Sequence, residues 1–147
     1  MNRRMIVYIL GWMLIAEAIL MMPSLVVSVI YHEPAHRYFV APMLLLIVIG
    51  GFFVIQRPHN TAIFARDGCF IVAASWAALS IFGALPFYLS GYFETIWDCI
   101  FEITSGFTTT GASILKQVEV LPNCLLFWRS FSHWIGGMGV LVFVLAI

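Results

Sequence analysis

The sequence predicts an all-α integral membrane protein: two leading transmembrane helices followed by one helix–re-entrant loop–helix unit. Composition is the first observation behind this, because the 147 residues are 63% hydrophobic and only 10% charged. Soluble domains run at about 45–50% apolar and about 25% charged. Mean hydropathy is +1.02. The second observation is run length: the apolar stretches reach the roughly 20 residues that a helix needs to cross a bilayer. The third is an interval between two of these runs that joins a short helical pattern to a glycine-bounded stretch of poor helix formers.

The first span is read from Met5 to Ile30, interrupted only by Glu17 and Pro23. It is too long for the apolar core of a signal peptide and lacks a clean small-residue cleavage site, so it reads as a retained span. Glu17 falls mid-span, where an ionised carboxylate costs about 2.5–3.5 kcal/mol on insertion scales. It is either a carboxylate on a polar pathway or a side chain at a packing surface. The second span runs from Tyr38 to Gln56, the third from Cys69 to Ser90 and the fourth from Leu125 to Ile147. Arg3, Arg4, Arg57 and Arg66 fall on one side of this arrangement, and Arg37, Lys116 and Arg129 on the other. The excess of basic residues places the N-terminus in the cytoplasm. Glu33, Glu94, Asp98, Glu102 and Glu119 then face outward, where they bias the entrance toward cations.

Between the third and fourth spans, Phe93, Ile96, Trp97, Ile100, Phe101 and Thr104 recur at three- and four-residue steps. They predict a helix over Phe93–Ser105, about 20 Å long and too short to span. Gly106 to Ser113 follows, rich in β-branched residues. An extended backbone is tolerated at membrane depth only where it is buried or lines a polar cavity. The pattern is that of a re-entrant loop whose inward carbonyls can replace the hydration shell of a cation. Glycine supplies the unusual φ values such a strand needs, and the C-terminal end of the preceding helix favours positive charge.

Other chemistries are weaker fits. The net charge is zero and no basic run exceeds Arg3-Arg4, which argues against nucleic acid as a partner. Cys69, Cys99 and Cys124 are scattered without metal-ligand spacing. His32-Glu33-Pro34-Ala35-His36 matches the H-E-x-x-H zinc pattern, but Pro34 sits badly in the helix that pattern requires. Ser105 with His133 forms a second protease alternative, a serine–histidine dyad within the membrane, which leaves the threonines and Gly111 unexplained. The glycines Gly136, Gly137 and Gly139 suit close helix packing better than a hinge. The tryptophans read as mostly lipid-facing or interfacial.

Phe101-Glu102-Ile103-Thr104-Ser105-Gly106-Phe107-Thr108-Thr109-Thr110-Gly111-Ala112-Ser113 resembles the first pore loop of the Trk/Ktr/HKT potassium transporter superfamily, TrkH type. Phe127-Trp128-Arg129-Ser130 and His133-Trp134-Ile135-Gly136-Gly137-Met138-Gly139 resemble the inner helix that follows it. The resemblance implies a potassium-channel-like fold, with residues 1–66 as two leading helices and residues 67–147 as the first of four helix–pore helix–filter–helix repeats. It implies potassium uptake across the cytoplasmic membrane, with K⁺ as the transported substrate and no cofactor or covalent chemistry. Thr108, Thr109, Thr110, Gly111 and Ala112 map to the ion-binding filter strand. A homodimer of the full-length subunit and a cytoplasmic nucleotide-binding regulatory subunit are the implied partners. One filter motif where the family has four, and an end at Ile147 inside an apolar run, lead to the expectation of a chain truncated at its C-terminal end. His133 stands where many relatives carry Gln.

Overall fold

A computed structural model describes residues 3–34, 36–58 and 65–146, and their regular structure is helical. The helices are α1 (Arg3–Leu20), α2 (Met22–Ile30), α3 (His36–Ile55), α4 (Ala65–Gly83), α5 (Leu85–Ser90), α6 (Ile96–Phe107) and α7 (Asn123–Ala146), with a 3₁₀ turn at Val118–Val120 before α7. Arg3–Ile30, His36–Ile55 and Arg66–Ser90 are long and apolar enough to cross a membrane. With the apolar composition, they make this a multi-pass membrane protein. The expected fourth span corresponds to α7, which begins at Asn123 rather than Leu125. Ile147, its expected end, lies outside the described residues.

Prolines explain why two spans are each divided into two helices. Pro23 and Pro86 occupy the first turns of α2 and α5, and a proline has no N–H to donate to the preceding turn. Met21 and Ala84, the residues at the breaks, keep right-handed helical φ and ψ. Each break is therefore a bend, not a loop. Gly91, with φ of 72°, closes α5 in the left-handed conformation that glycine adopts freely.

One core runs through the leading helices and the residues after them. Leu14, Ala18 and Met21 of the first span, Phe39 of α3, Ile103 and Phe107 of α6 and Leu125 and Trp128 of α7 are all buried in it. Trp128 is its hub. It is fully buried, donates from Nε1 to the Gly83 carbonyl at 3.0 Å, and meets Phe39 and Phe107 edge-on at 6.5 and 6.3 Å. The interfacial expectation fails for this tryptophan. A helix that is apolar on all sides does not reveal in its sequence which side faces protein.

α1 and α3 cross at a pair of glycines. A Cβ on Gly11 would lie 2.8 Å from the Gly50 carbonyl oxygen, and a Cβ on Gly50 equally close to that of Gly11. Only hydrogen at both positions lets the backbones approach this closely. Glu17 packs nearby on α1. It is 1% exposed, neither carboxyl oxygen has a hydrogen-bond partner among the described residues, and Oε1 lies 3.0 Å from where a Gly83 Cβ would stand. Outward faces are apolar too: Ile30, Val48 and Ile55 are exposed, as suits helices that meet lipid.

Candidate functional site

α6 sets the position of everything in the site. Thr95 and Asp98 form a capping box at its start, with the Asp98 amide donating to Thr95 Oγ1 at 3.2 Å and the Thr95 amide to Asp98 Oδ2 at 3.1 Å. The helix therefore starts at Ile96, three residues after the expected Phe93, because Thr95 turns out to be its cap. Its 12 residues rise about 18 Å, too little to cross the hydrocarbon. Cys99, Glu102, Ile103, Ser105, Gly106 and Phe107 are its buried residues.

The chain leaves α6 at Phe107, two residues later than expected, and becomes an exposed irregular segment. Its amides turn back onto the helix end. Thr108 N donates to Thr104 O at 2.8 Å, Thr109 N to Gly106 O at 2.9 Å and Thr110 N to Ser105 O at 2.9 Å. These bonds satisfy carbonyls that a helix C-terminus otherwise leaves open. φ is −82° at Thr108, +58° at Thr109 and +76° at Gly111, with Thr110 on the negative side between them. Each left-handed residue turns its peptide plane over relative to that of an extended strand. Gly111 takes this conformation readily; for the β-branched Thr109 it is a strained one.

Among the described residues, the carbonyls of Thr109, Thr110 and Gly111 accept no hydrogen bond. The two flanking carbonyls are used. Thr108 O accepts from Thr109 Oγ1 at 2.7 Å and Ala112 O from Ser105 Oγ at 2.7 Å. The five expected site residues thus sit together, with three free carbonyls between two engaged ones.

Behind the segment lies a polar cluster that the sequence indicated only in part. Glu102 is 1% exposed. Its Oε2 accepts from Ser113 Oγ and from the Ile114 amide, each at 3.1 Å, and its Oε1 is ion-paired with Arg129 Nε of α7. Asp98 and Glu102 stand four residues apart and so share one face of the helix, where each can either tune the entrance or bond nearby backbone. The observed contacts of Glu102 are those of a backbone bond, and Asp98 is spent on the cap. Nothing in that spacing pointed to Ser113 or Ile114.

α7 backs the segment through its small residues. A Cβ on Gly136 would lie 2.0 Å from the Phe107 carbonyl oxygen, and one on Gly106 equally close to Ser132 Oγ. His133 Nδ1 lies 2.9 Å from the Arg129 carbonyl. A carbonyl can only accept, so Nδ1 carries the proton. Nε2 lies 3.9 Å from the position a Gly111 Cβ would take.

Both protease alternatives lose their geometry. Ser105 donates to Ala112 and His133 bonds Arg129, so the two do not form a dyad. His32 sits in a turn with φ of 51°, whereas His36 opens α3. The two histidines therefore do not stand one turn apart on a helix, and Ala35 between them lies outside the described residues. Glu33 is committed elsewhere. Oε1 accepts from the Asn123 amide at 2.7 Å and Asn123 Nδ2 at 2.9 Å, and Oε2 from the Cys124 amide at 3.2 Å, so that it caps α7. Burial alone would raise its pKa, but the hydrogen bonds from Asn123 and Cys124 outweigh that and hold it below the usual carboxylate value.

Comparison with known proteins places these features in a group. A family model described as TrkH, cation transport protein, matches residues 35–147. The Trk system potassium uptake protein TrkH of Halomonas elongata is 34% identical over 149 residues, covering 100% of this chain and 31% of that protein. An uncharacterized cation transporter of Methanocaldococcus jannaschii is 37% identical, covering 93% of this chain and 29% of the relative. The crystal structure of the potassium transporter TrkH from Vibrio parahaemolyticus superposes with a TM-score of 0.93 at 33% identity, over 99% of this chain and 32% of that one. The chain spans about a third of the length of these relatives.

Proposed function

Since the chain belongs to the TrkH cation-transport family, we propose that it supplies one of four filter strands of a potassium uptake pore in the cytoplasmic membrane. The observation that carries this is the run of three free carbonyls at Thr109, Thr110 and Gly111, exposed at the end of a helix too short to span. A partly dehydrated cation needs several such oxygens at once. A single strand offers one side of that shell, and three further repeats complete the ring.

In this reading, residues 1–66 are the leading helix pair and residues 67–147 the first repeat. Thr108 and Ala112 shape the ends of the ion path, and the three carbonyls between them meet the ion. The C-terminal end of α6 adds partial negative charge at its base. The N-terminus is cytoplasmic, which puts the loop on the outer side. The homodimer and the cytoplasmic nucleotide-binding regulatory subunit rest on the family resemblance alone. K⁺ is substrate, and the cycle makes and breaks no covalent bond.

The test is growth and ⁸⁶Rb⁺ or K⁺ uptake in a bacterial host deprived of its own potassium uptake systems, with this chain expressed together with its remaining repeats. Restored growth at low potassium with saturable K⁺ uptake is the expected result. Membrane insertion without cation uptake contradicts the proposal.

A further inference from the structure

The filter reading concerns atoms that face the ion. The cluster behind them carries a separate inference, which rests on that reading and extends it. We propose that Glu102 is a positioning residue for ion selectivity: from behind the strand it fixes where the carbonyls stand, and Arg129 holds it there.

The segment from Thr108 to Ile114 is exposed along its length, so packing does little to define its course. Its fastenings are polar, and beyond the turn in which the Thr108 and Thr109 amides bond Thr104 and Gly106 they fall at two levels. Ser105 holds the middle, through its carbonyl to the Thr110 amide and its hydroxyl to the Ala112 carbonyl. Glu102, one turn earlier on α6, holds the far end through Ser113 and Ile114. The Ser105 carbonyl takes the Thr110 and Gly111 amides within the run of free carbonyls, and the Glu102 anchor follows that run. Movement at Ser113 or Ile114 is therefore passed through Ala112 to the Gly111 carbonyl, whose peptide plane neither anchor bonds directly.

Both partners on the segment are donors, so the group that holds them must accept twice. An ionised carboxylate accepts at both oxygens, and charge-assisted hydrogen bonds are stronger than neutral ones. Left alone at this depth, the same carboxylate would be costly to bury. Arg129 resolves this by pairing with the oxygen that the segment does not use. The pair carries no net charge, so it acts on the ion through geometry and not as an attractive site.

An ion pair that merely stabilised the fold would serve equally well with its two members exchanged. A positioning carboxylate would not, since arginine at residue 102 has no acceptor to offer the Ile114 amide. The experiment uses the protein with all its repeats and measures membrane abundance and the K⁺/Na⁺ uptake ratio. The variants are Glu102→Gln, Arg129→Gln, the exchange Glu102→Arg with Arg129→Glu, Glu102→Asp, and Ser113→Ala. The exchange should recover the abundance lost by the single Gln variants while K⁺ preference stays reduced roughly tenfold, as loss of hydrogen bonds to a charged group implies. Glu102→Asp should accumulate normally yet lose preference, because its side chain is one methylene too short to reach both Arg129 and the segment. Ser113→Ala removes the contact to Glu102 together with the Leu115 amide's bond to Ser113 Oγ, at an exposed site where the fold stays intact, and should lower the ratio about threefold.

Wild-type preference in the exchanged protein or in Ser113→Ala overturns the proposal. The outcome also separates from that of the filter reading. If Gly111→Ser shifts the ratio and these variants do not, the filter stands and Glu102 is only structural. If Gly111→Ser is itself silent, the filter reading falls first.

Discussion

At Gly136 a single missing side chain decides how close α7 comes to the end of α6. Any Cβ there would meet the Phe107 carbonyl oxygen at 2.0 Å, and that oxygen belongs to backbone which cannot swing aside. Gly136→Ala is therefore expected to lower stability by about 1–3 kcal/mol, the usual range for overpacking, and to lower the melting temperature of the purified protein in detergent. An unchanged melting temperature would show that α7 does not press on Phe107. Glu17 makes the opposite kind of prediction. Its carboxyl lies buried without a partner among the described residues, and an unsatisfied buried polar group costs about 1–3 kcal/mol. Glu17→Leu should raise the melting temperature and leave K⁺ uptake unchanged; loss of uptake at normal abundance would make Glu17 part of the ion pathway instead. The sequence made the glycines legible as contact points, because small residues in apolar helices have few other uses. It did not reveal that Thr109 shares the left-handed geometry with Gly111, since a β-branched residue is the least expected there. That conformation is held by fastenings on either side of Thr109, and those appear only once the chain is folded.

The helix α6 shows how far periodicity carries at the scale of an element. Apolar residues at three- and four-residue steps gave its existence and its half-depth length. They missed its start, because Thr95 and Asp98 act as a reciprocal cap and end the helical pattern short of Phe93. Thr95→Ala should cost about 1 kcal/mol by removing that cap, read as a fall in thermal stability with selectivity retained. A loss of selectivity as large as that of Gly111→Ser would mean that α6 shifts bodily without its cap. The start of α7 is capped from much farther away. Glu33 lies 90 residues before Asn123, a distance at which no spacing rule operates, and in the sequence it read as an outward-facing acidic residue in a loop between spans. Its folded-state pKa is depressed below the ordinary value of 4.5. The stabilisation is therefore present above that value and is lost as pH falls through the lower, folded-state value. Glu33→Gln should flatten the acid side of the stability profile, measured as melting temperature against pH. An identical acid limb in wild type and variant would remove Glu33 from the cap.

Across the whole molecule, the first two spans and the helices after them share a core centred on Trp128. The spans were readable because run length and composition are local properties. The shared core was not, because the spans are apolar over most of their surface and hydropathy cannot separate a face that meets lipid from one that meets protein. The sequence leaves Arg129 open between neutralising Asp98 or Glu102 and snorkelling to the interface; the fold pairs it with Glu102, 27 residues away on a different helix. The polar segment after α6 stood out because threonine and glycine follow a short apolar pattern between two spans, so the candidate site was more legible than the packing that supports it. The central claim is that backbone carbonyls around Gly111 meet a dehydrated potassium ion. The most direct measurement is the K⁺/Na⁺ uptake ratio of Gly111→Ser against wild type, in the protein with all its repeats and at matched membrane abundance. Serine at a φ of +76° is strained and turns a carbonyl away, so K⁺ preference should fall about tenfold or more while insertion is unchanged. The same K⁺ affinity and the same ratio in both proteins would contradict it.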